Sequence, residues 1–158
     1  MKTEINTSRR TLFLGLVFGL LPIKHVIAST AKPVIEVWKS PTCGCCHDWL
    51  NHMTSNGYVI GKVHDDGNDI ARKKLGIGIQ YGSCHTALIN GYAFEGHVPA
   101  KDVDKVLREK PNIAGLAVPG MPIGSPGMDG TEYKGRKDSY DVLAIQKNGQ
   151  ATIYHHYN

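Results

Sequence analysis

Three cysteines, Cys43, Cys45 and Cys46, lie within four consecutive positions of the segment SPTCGCCHDWL, and the remaining cysteine of the chain is Cys84. Thiolates at this density could bind a soft metal ion, and the Cys43-x-x-Cys46 spacing could also exchange disulfides. An even number of cysteines in an exported protein could instead form structural disulfides. A Cys45–Cys46 bond is disfavoured, because a disulfide requires a wider Cα separation than adjacent residues normally provide.

The N-terminal segment, residues 1–28, has the layout of a secretory signal peptide. Arg9 and Arg10 precede an apolar run from Leu12 to Leu21, and small residues follow this run. The run is short for a membrane span, and the arginine pair resembles a twin-arginine signal. We therefore predict a periplasmic protein that has no membrane contact after cleavage. An uncleaved membrane anchor is the alternative interpretation.

The charge of the chain argues against a nucleic-acid partner. The chain contains 18 Lys and Arg residues and 14 Asp and Glu residues, so its net charge is +4. Because residues 1–28 contain four basic side chains and one acidic side chain, the remaining chain has 14 basic and 13 acidic side chains. A nearly neutral domain without a basic patch interleaved with aromatic residues lacks the signature of nucleic-acid binding.

Hydrophobic periodicity predicts an α/β domain with the element order β-α-β-α-β-β-α over residues 33–118. The cysteine cluster falls between the first strand and the first helix, where a helix N-terminus favours thiolate over thiol. This order describes a thioredoxin-like fold. The predicted strands are residues 34–38, 58–63, 85–89 and 92–96, and the predicted helices are residues 45–57, 68–76 and 99–110.

The last segment, residues 119–158, is predicted to pack on the same domain. It begins with a loop rich in Met, Pro and Gly, VPGMPIGSPGM, that starts at Val118. It ends with a β-hairpin over residues 140–157, whose turn is Asn148-Gly149. We expect this hairpin to extend or cover the sheet.

The predicted topology brings Cys84 to the other cysteines. In a thioredoxin-like sheet the third strand runs antiparallel to the first, so its start lies beside the end of the first strand. Cys84 and His85 stand at this start, where thioredoxin-like proteins usually place a cis-proline. The end of the following hairpin returns to the same edge and brings His97 close. Four thiols are therefore expected to converge.

Cu(I) fits such a convergence better than zinc does. Structural zinc usually takes two separated cysteine pairs, whereas bridging thiolates allow crowded cysteines to share several soft ions. Met121 and Met128 are expected to expose thioethers that add to a Cu(I) site, although either could instead cover the core. His85, His97 and His47 are further candidate ligands.

Three separated segments resemble the periplasmic CopG-type copper-resistance proteins, a family long known as a domain of unknown function. The segments are VWKSPTCGCCHDWLNHM, YGSCHTALINGYAFEGHVPA and PNIAGLAVPGMPIGSPGM, and the resemblance covers about residues 33–145. It implies a thioredoxin-like fold, an exported location and copper binding through cysteines. The Cys-x-Cys-Cys motif of that family falls on Cys43, Cys45 and Cys46, and its distant cysteine falls on Cys84. Gly78 stands where relatives more often have proline.

Three function classes fit these residues. The first is a copper-resistance protein that holds Cu(I), as several ions, and that could also change the oxidation state of copper. Its partners would be copper ions and other periplasmic copper-handling proteins. The second is a thiol–disulfide oxidoreductase that uses Cys43 and Cys46. The third is a disulfide-stapled binding module. A binding protein is favoured over an enzyme.

Overall fold

The computed structural model describes residues 31–158, so the predicted signal peptide lies outside the described residues. The helices are α1 (Gly44–Ser55), α2 (Asp69–Lys74) and α3 (Ala100–Glu109), with 3₁₀ turns at Ile79–Tyr81 and Thr131–Tyr133. The strands are β1 (Val34–Lys39), β2 (Val59–His64), β3 (His85–Ile89), β4 (Tyr92–Glu95), β5 (Gly115–Ala117), β6 (Tyr140–Ile145) and β7 (Ala151–Tyr157). Within residues 31–158, no helix combines the length and the apolar character needed to cross a membrane.

All seven strands form one mixed sheet in the order β2-β1-β3-β4-β5-β6-β7. β1 pairs in parallel with β2 and antiparallel with β3, and β3 and β4 form an antiparallel hairpin. β4 pairs in parallel with β5, and β5, β6 and β7 continue as antiparallel neighbours. The predicted α/β class is confirmed, and the predicted helices and strands occur in the predicted order.

Strand alternation separates the two faces of the sheet. In β1, Ile35 and Val37 are fully buried, whereas Val34 points to the other face and is more than half exposed. The buried face packs against α1 and α3 and forms the larger core. The opposite face carries a smaller cluster that includes Ile77 and Ile145. Because side chains of a strand alternate between faces, this pattern fixes the register of the sheet.

Helix α1 holds the cysteines against the sheet. Its apolar side chains recur at helical spacing and are buried at Cys46, Trp49, Leu50 and Met53. The indole Nε1 of Trp49 donates a hydrogen bond of 2.9 Å to the carbonyl of Val98, which anchors the helix to the segment before α3. After the helix, Gly57 adopts a φ of +86°, a conformation that glycine tolerates best. The helix therefore has a defined position and a defined end.

Strand β5 connects the predicted C-terminal hairpin to the sheet and was not predicted. It pairs with β4 through Ala93↔Gly115 and with β6 through Gly115↔Ile145. A Cβ atom on Gly115 would overlap the carbonyl of Ala93. Glycine is therefore required for this close approach. The C-terminal hairpin extends the sheet through β5.

We expect Gly115→Ala to lower the free energy of unfolding by about 1–3 kcal/mol, because the added methyl group overpacks the β4–β5 contact. Urea unfolding followed by circular dichroism measures this change. Gly44→Ala is the matched control, since a Cβ atom there would have no neighbour within 4 Å and alanine is a good helix former. Equal stability of the Gly115→Ala variant and the wild type would contradict this account of β5.

Candidate metal centre

The four cysteines converge at one end of the sheet. Cys43 precedes α1, Cys45 and Cys46 lie in its first turn, and Cys84 directly precedes β3. Since Lys39 pairs with His85 across β1 and β3, the end of one strand lies beside the start of the other. The four sulfur atoms all lie within 4.8 Å of one another. The sheet topology thus brings together residues that are distant in sequence.

Two of the four cysteines form a disulfide. Cys43 and Cys46 are bonded, with Cα atoms 5.4 Å apart, whereas Cys45 and Cys84 are free. The Sγ atom of Cys45 lies 3.6 Å from that of Cys43 and 3.7 Å from that of Cys84. The structure therefore represents a partly oxidised centre, and a site with four thiolates requires two-electron reduction of the Cys43–Cys46 bond.

The imidazole of His97 is oriented towards the sulfur of Cys84. Its Nδ1 atom lies 2.8 Å from the carbonyl oxygen of Pro126, and its Nε2 atom lies 3.2 Å from Cys84 Sγ. A carbonyl only accepts hydrogen bonds, so Nδ1 carries the proton and Nε2 of the neutral ring has a free lone pair. Burial lowers the pKa of His97, which favours the neutral form. Metal-binding histidines commonly have this arrangement, in which the second nitrogen donates to a carbonyl.

His85 extends the group of ligand atoms inward. It is fully buried, its ring lies 4.5 Å from that of Trp49, and its Nδ1 atom lies 3.5 Å from Cys84 Sγ. Its Nε2 atom is buried and has no hydrogen-bond partner among the described residues. Burial, and then the proximity of His97, place the pKa of His85 well below its usual value. Cys84, His85 and His97 therefore form a second group of ligand atoms within 4.8 Å of one another, which shares Cys84 with the first.

The thiol of Cys84 is held in its protonated form. Burial, followed by the proximity of Cys45, raises the pKa of Cys84 from 9.0 to about 12. Both causes disfavour a negative charge on this sulfur, because burial removes hydration and a second sulfur repels a thiolate. A cation bound between the sulfurs would instead favour the thiolate, because its positive charge would attract the negative sulfur.

The two candidate methionines occupy different environments. Met121 is 52 % exposed, and its Sδ atom lies 4.0 Å from Cys45 Sγ. The expectation that Met128 exposes its thioether is wrong, since only 8 % of Met128 is exposed and its Sδ atom accepts a hydrogen bond from Tyr133 at 3.4 Å. The physical reason is that the loop lies on α1, where any side chain on Gly127 would crowd the backbone of Trp49. Only Met121 lies at the mouth of the cysteine cluster.

The remaining candidate, His47, is exposed on the first turns of α1 and lies outside both groups of ligand atoms. A buried polar network that was not predicted from the sequence lies beneath Cys84. Glu95 is fully buried at the end of β4 and contacts Arg72 and the backbone N–H of Ser83. A glutamate that ends the otherwise apolar strand YAFE was the available signal.

We predict that the protein, unfolded without reductant, exposes two reactive thiols, and that it exposes four after reduction. In the folded oxidised protein, Cys84 should react with iodoacetamide roughly 100–1,000-fold more slowly at pH 8 than an ordinary cysteine, because its raised pKa leaves little thiolate. Mass spectrometry of pulse-labelled protein measures both quantities. Four thiols in the unreduced protein, or rapid labelling of Cys84, would contradict this description of the centre.

The chain is similar to a family of known proteins. Residues 81–128 match the profile of the family described as "Protein of unknown function, DUF411". Two solved structures of copper resistance protein CopG, Form 1 and Form 2, are 41 % and 42 % identical to the chain, with TM-scores of 0.72 and 0.71. Each covers 80 % of this chain, and the matched parts are 98 % and 99 % of the CopG chains. No curated protein is significantly similar to the chain. The chain therefore belongs to the DUF411 family of proteins related to copper resistance protein CopG.

Proposed function

We propose that this protein binds several Cu(I) ions through its four cysteines in the periplasm and so contributes to copper resistance. The observation that carries the proposal is the convergence of four sulfur atoms within 4.8 Å of one another. The relationship to copper resistance protein CopG supports copper as the metal. The secretory layout of residues 1–28 supports the periplasmic location.

Copper in the Cu(I) state suits this cluster better than zinc. Cys45 and Cys46 are adjacent, so their sulfurs do not readily complete one tetrahedron around a single ion with Cys43 and Cys84. Thiolates that bridge two ions accommodate the crowding, and Cu(I) is the soft first-row ion that prefers thiolate and thioether ligands. The thioether of Met121, 4.0 Å from Cys45 Sγ, supplies a neutral soft ligand at the mouth.

The proposed ligand set extends beyond the cysteines to His97, and then to His85 and Met121. His97 is preferred because its Nε2 lone pair already faces Cys84 Sγ at 3.2 Å. His47 and Met128 are left out of the set, because His47 is exposed outside both ligand groups and Met128 is buried against Tyr133.

We also propose that residues 33–118 form a thioredoxin-like domain on which residues 119–158 pack. The order β2-β1-β3-β4, with β1 parallel to β2, β3 antiparallel to β1 and β4 antiparallel to β3, supports this assignment. The position of the Cys-x-x-Cys pair at the start of α1, shortly after β1, supports it further. Strand β5 joins the C-terminal hairpin to β4, which favours one domain over two.

A thiol–disulfide oxidoreductase is the second candidate, and the Cys43–Cys46 disulfide favours it. The free thiol of Cys45 argues against it, since it lies 3.6 Å from Cys43 Sγ and would compete with an external thiol. Formation of the same disulfide could also reduce copper. Two thiols that form a disulfide release two protons and two electrons, and the two electrons reduce two Cu(II) ions to Cu(I).

Anaerobic titration of the reduced protein with Cu(I) tests the proposed function. We expect more than one Cu(I) per chain, because bridging thiolates hold several ions. Cys84→Ser and Cys43→Ser should each lower the bound copper and change the ultraviolet thiolate-to-copper absorption, since both sulfurs belong to one cluster. His156→Ala is the control for incidental histidine binding, because His156 is exposed and pairs with Asp141.

The outcomes of this titration separate the candidates. One ion or fewer per chain, with four intact thiols, would contradict the multinuclear site. An unchanged copper content in Cys84→Ser would remove Cys84 from the ligand set. Metal-free protein that reduces disulfide substrates but does not retain Cu(I) would favour the oxidoreductase.

The two methionines should respond differently to substitution. Met121→Ala should weaken Cu(I) binding by about 10-fold, within the range for peripheral ligands, and leave the melting temperature of the apoprotein unchanged. Met128→Ala should instead lower the free energy of unfolding by about 2 kcal/mol, because it removes a buried side chain. Chelator competition and thermal unfolding measure these effects. The reverse pattern would mean that Met128 is the copper ligand.

A further inference from the structure

A buried carboxylate bonds to the backbone of Ser83, the residue that precedes Cys84. Glu95 is fully buried, and its Oε1 atom accepts hydrogen bonds of 2.7 Å from the N–H of Ser83 and from Nε of Arg72. Its Oε2 atom accepts a hydrogen bond from the hydroxyl of Thr86. The amide of Asn68 adds a longer bond of 3.4 Å to Oε1. All these partners donate, so both oxygens of the carboxylate accept hydrogen bonds in this position.

Arg72 bonds to the backbone carbonyl of the same residue, Ser83. Its guanidinium is almost completely buried and donates through three different nitrogens. Nε bonds to Glu95, Nη2 donates to the carbonyl of Ser83 at 2.7 Å, and Nη1 pairs with Asp69 at 2.7 Å. The N–H and the C=O of Ser83 are therefore both fixed by the Arg72–Glu95 pair. Cys84 is the next residue along the chain.

The same segment is also bonded to the loop that carries Met121. The hydroxyl of Ser83 donates to the carbonyl of Gly120, and the N–H of Gly120 donates to the carbonyl of Gly82 at 3.1 Å. A side chain on Gly96 would overlap Ser83, so the segment has no room to move towards β4. The Arg72–Glu95 pair therefore restrains the positions of both Cys84 and Met121.

The energetics of buried ion pairs argue that this pair has a role beyond stability. Removing two charges from water is costly, and apolar residues of similar volume often give equal or greater stability. Apolar residues could not form hydrogen bonds with the N–H and the C=O of Ser83. The planar fork of arginine bonds to this C=O and to Glu95 together, because it donates in several fixed directions at once.

We propose that the buried Arg72–Glu95 ion pair is a positioning device that sets Cys84 and Met121 for copper binding. This inference rests on the proposed function, since it assigns to the pair the geometry of that same site. Neither residue belongs to the proposed ligand set, and both act through the backbone of Ser83. The pair should therefore influence the affinity and the spectrum of bound Cu(I) more than its effect on stability explains.

Chelator competition with Cu(I) on the reduced, full mature chain tests the inference in two variants. Glu95→Gln keeps the shape of the side chain but removes the charge, and Arg72→Lys keeps the charge but cannot reach both Glu95 and the Ser83 carbonyl. Both variants should bind Cu(I) 10–100-fold more weakly, as is typical when groups that orient metal ligands are changed. Their ultraviolet absorption and luminescence with bound Cu(I) should differ from those of the wild type.

Two controls separate positioning from stability. Asp69→Asn weakens a contact of the same arginine without touching Ser83, and Asp69 is exposed, so copper binding should be unchanged. Asp102→Asn disturbs another buried carboxylate, which accepts hydrogen bonds from His155 and Tyr157 of β7. It should lower stability and leave the spectrum of the bound copper unchanged.

Each outcome decides one question. Wild-type protein that fails to bind Cu(I) overturns the proposed function itself. Wild-type binding with equal affinity and spectrum in the Glu95 and Arg72 variants overturns only the positioning role. Equal losses in Asp102→Asn also overturn it, since general destabilisation would then be sufficient. If Glu95→Gln does not fold, Arg72→Lys and Ser83→Ala decide, and wild-type copper binding in both overturns the inference.

Discussion

The antiparallel pairing of β1 with β3 is the constraint on which the centre depends. It places Lys39 opposite His85, so the turn that leads to Cys43 lies beside the residue that precedes β3, which is Cys84. Because strand side chains alternate, a slip of one residue would turn the side chains of β3 to the opposite face. The next pairing, β3 with β4, places Glu95 beneath the backbone of Ser83, and the chain then continues to His97. One register thus assembles the sulfurs, the imidazoles and their buried support.

Repulsion between the crowded sulfurs can be relieved in two ways, by the disulfide or by the proposed binding of copper. Four sulfurs within 4.8 Å of one another cannot all carry a negative charge without strong repulsion, and burial adds a further penalty for Cys84. A Cys43–Cys46 bond removes two of the charges by oxidation. Cu(I) would neutralise them without oxidation. On the proposed function, the redox state of the centre and its copper content would be linked, because Cys43 and Cys46 cannot form a disulfide and bind copper as thiolates at the same time.

Local sequence patterns predicted much of the fold, but they did not predict the buried residues that hold the site in place. Alternation and helical spacing are properties of short windows, so the order of the first seven elements, and with it the convergence of Cys84, could be predicted. Strand β5, with three residues, is too short to show alternation. The burial of Met128 depends on a loop that packs against α1. The Arg72–Glu95 pair joins residues 23 positions apart on different elements, and no local pattern couples them.

Charge balance at this end of the sheet gives a reason for more than one copper ion. Two buried cations lie close to the cysteines among residues 31–158, but each already has an acidic partner. Lys39 pairs with Asp65 at 2.7 Å, and Arg72 pairs with Glu95 at the same distance. These cations therefore contribute little net positive charge to the centre.

Four thiolates would carry a charge of −4, and each Cu(I) would contribute only +1. A single ion would leave most of that charge in a half-buried site, where uncompensated charge is costly. Several bridging ions would remove the excess, so electrostatics and the crowded spacing of the cysteines both favour the proposed multinuclear site.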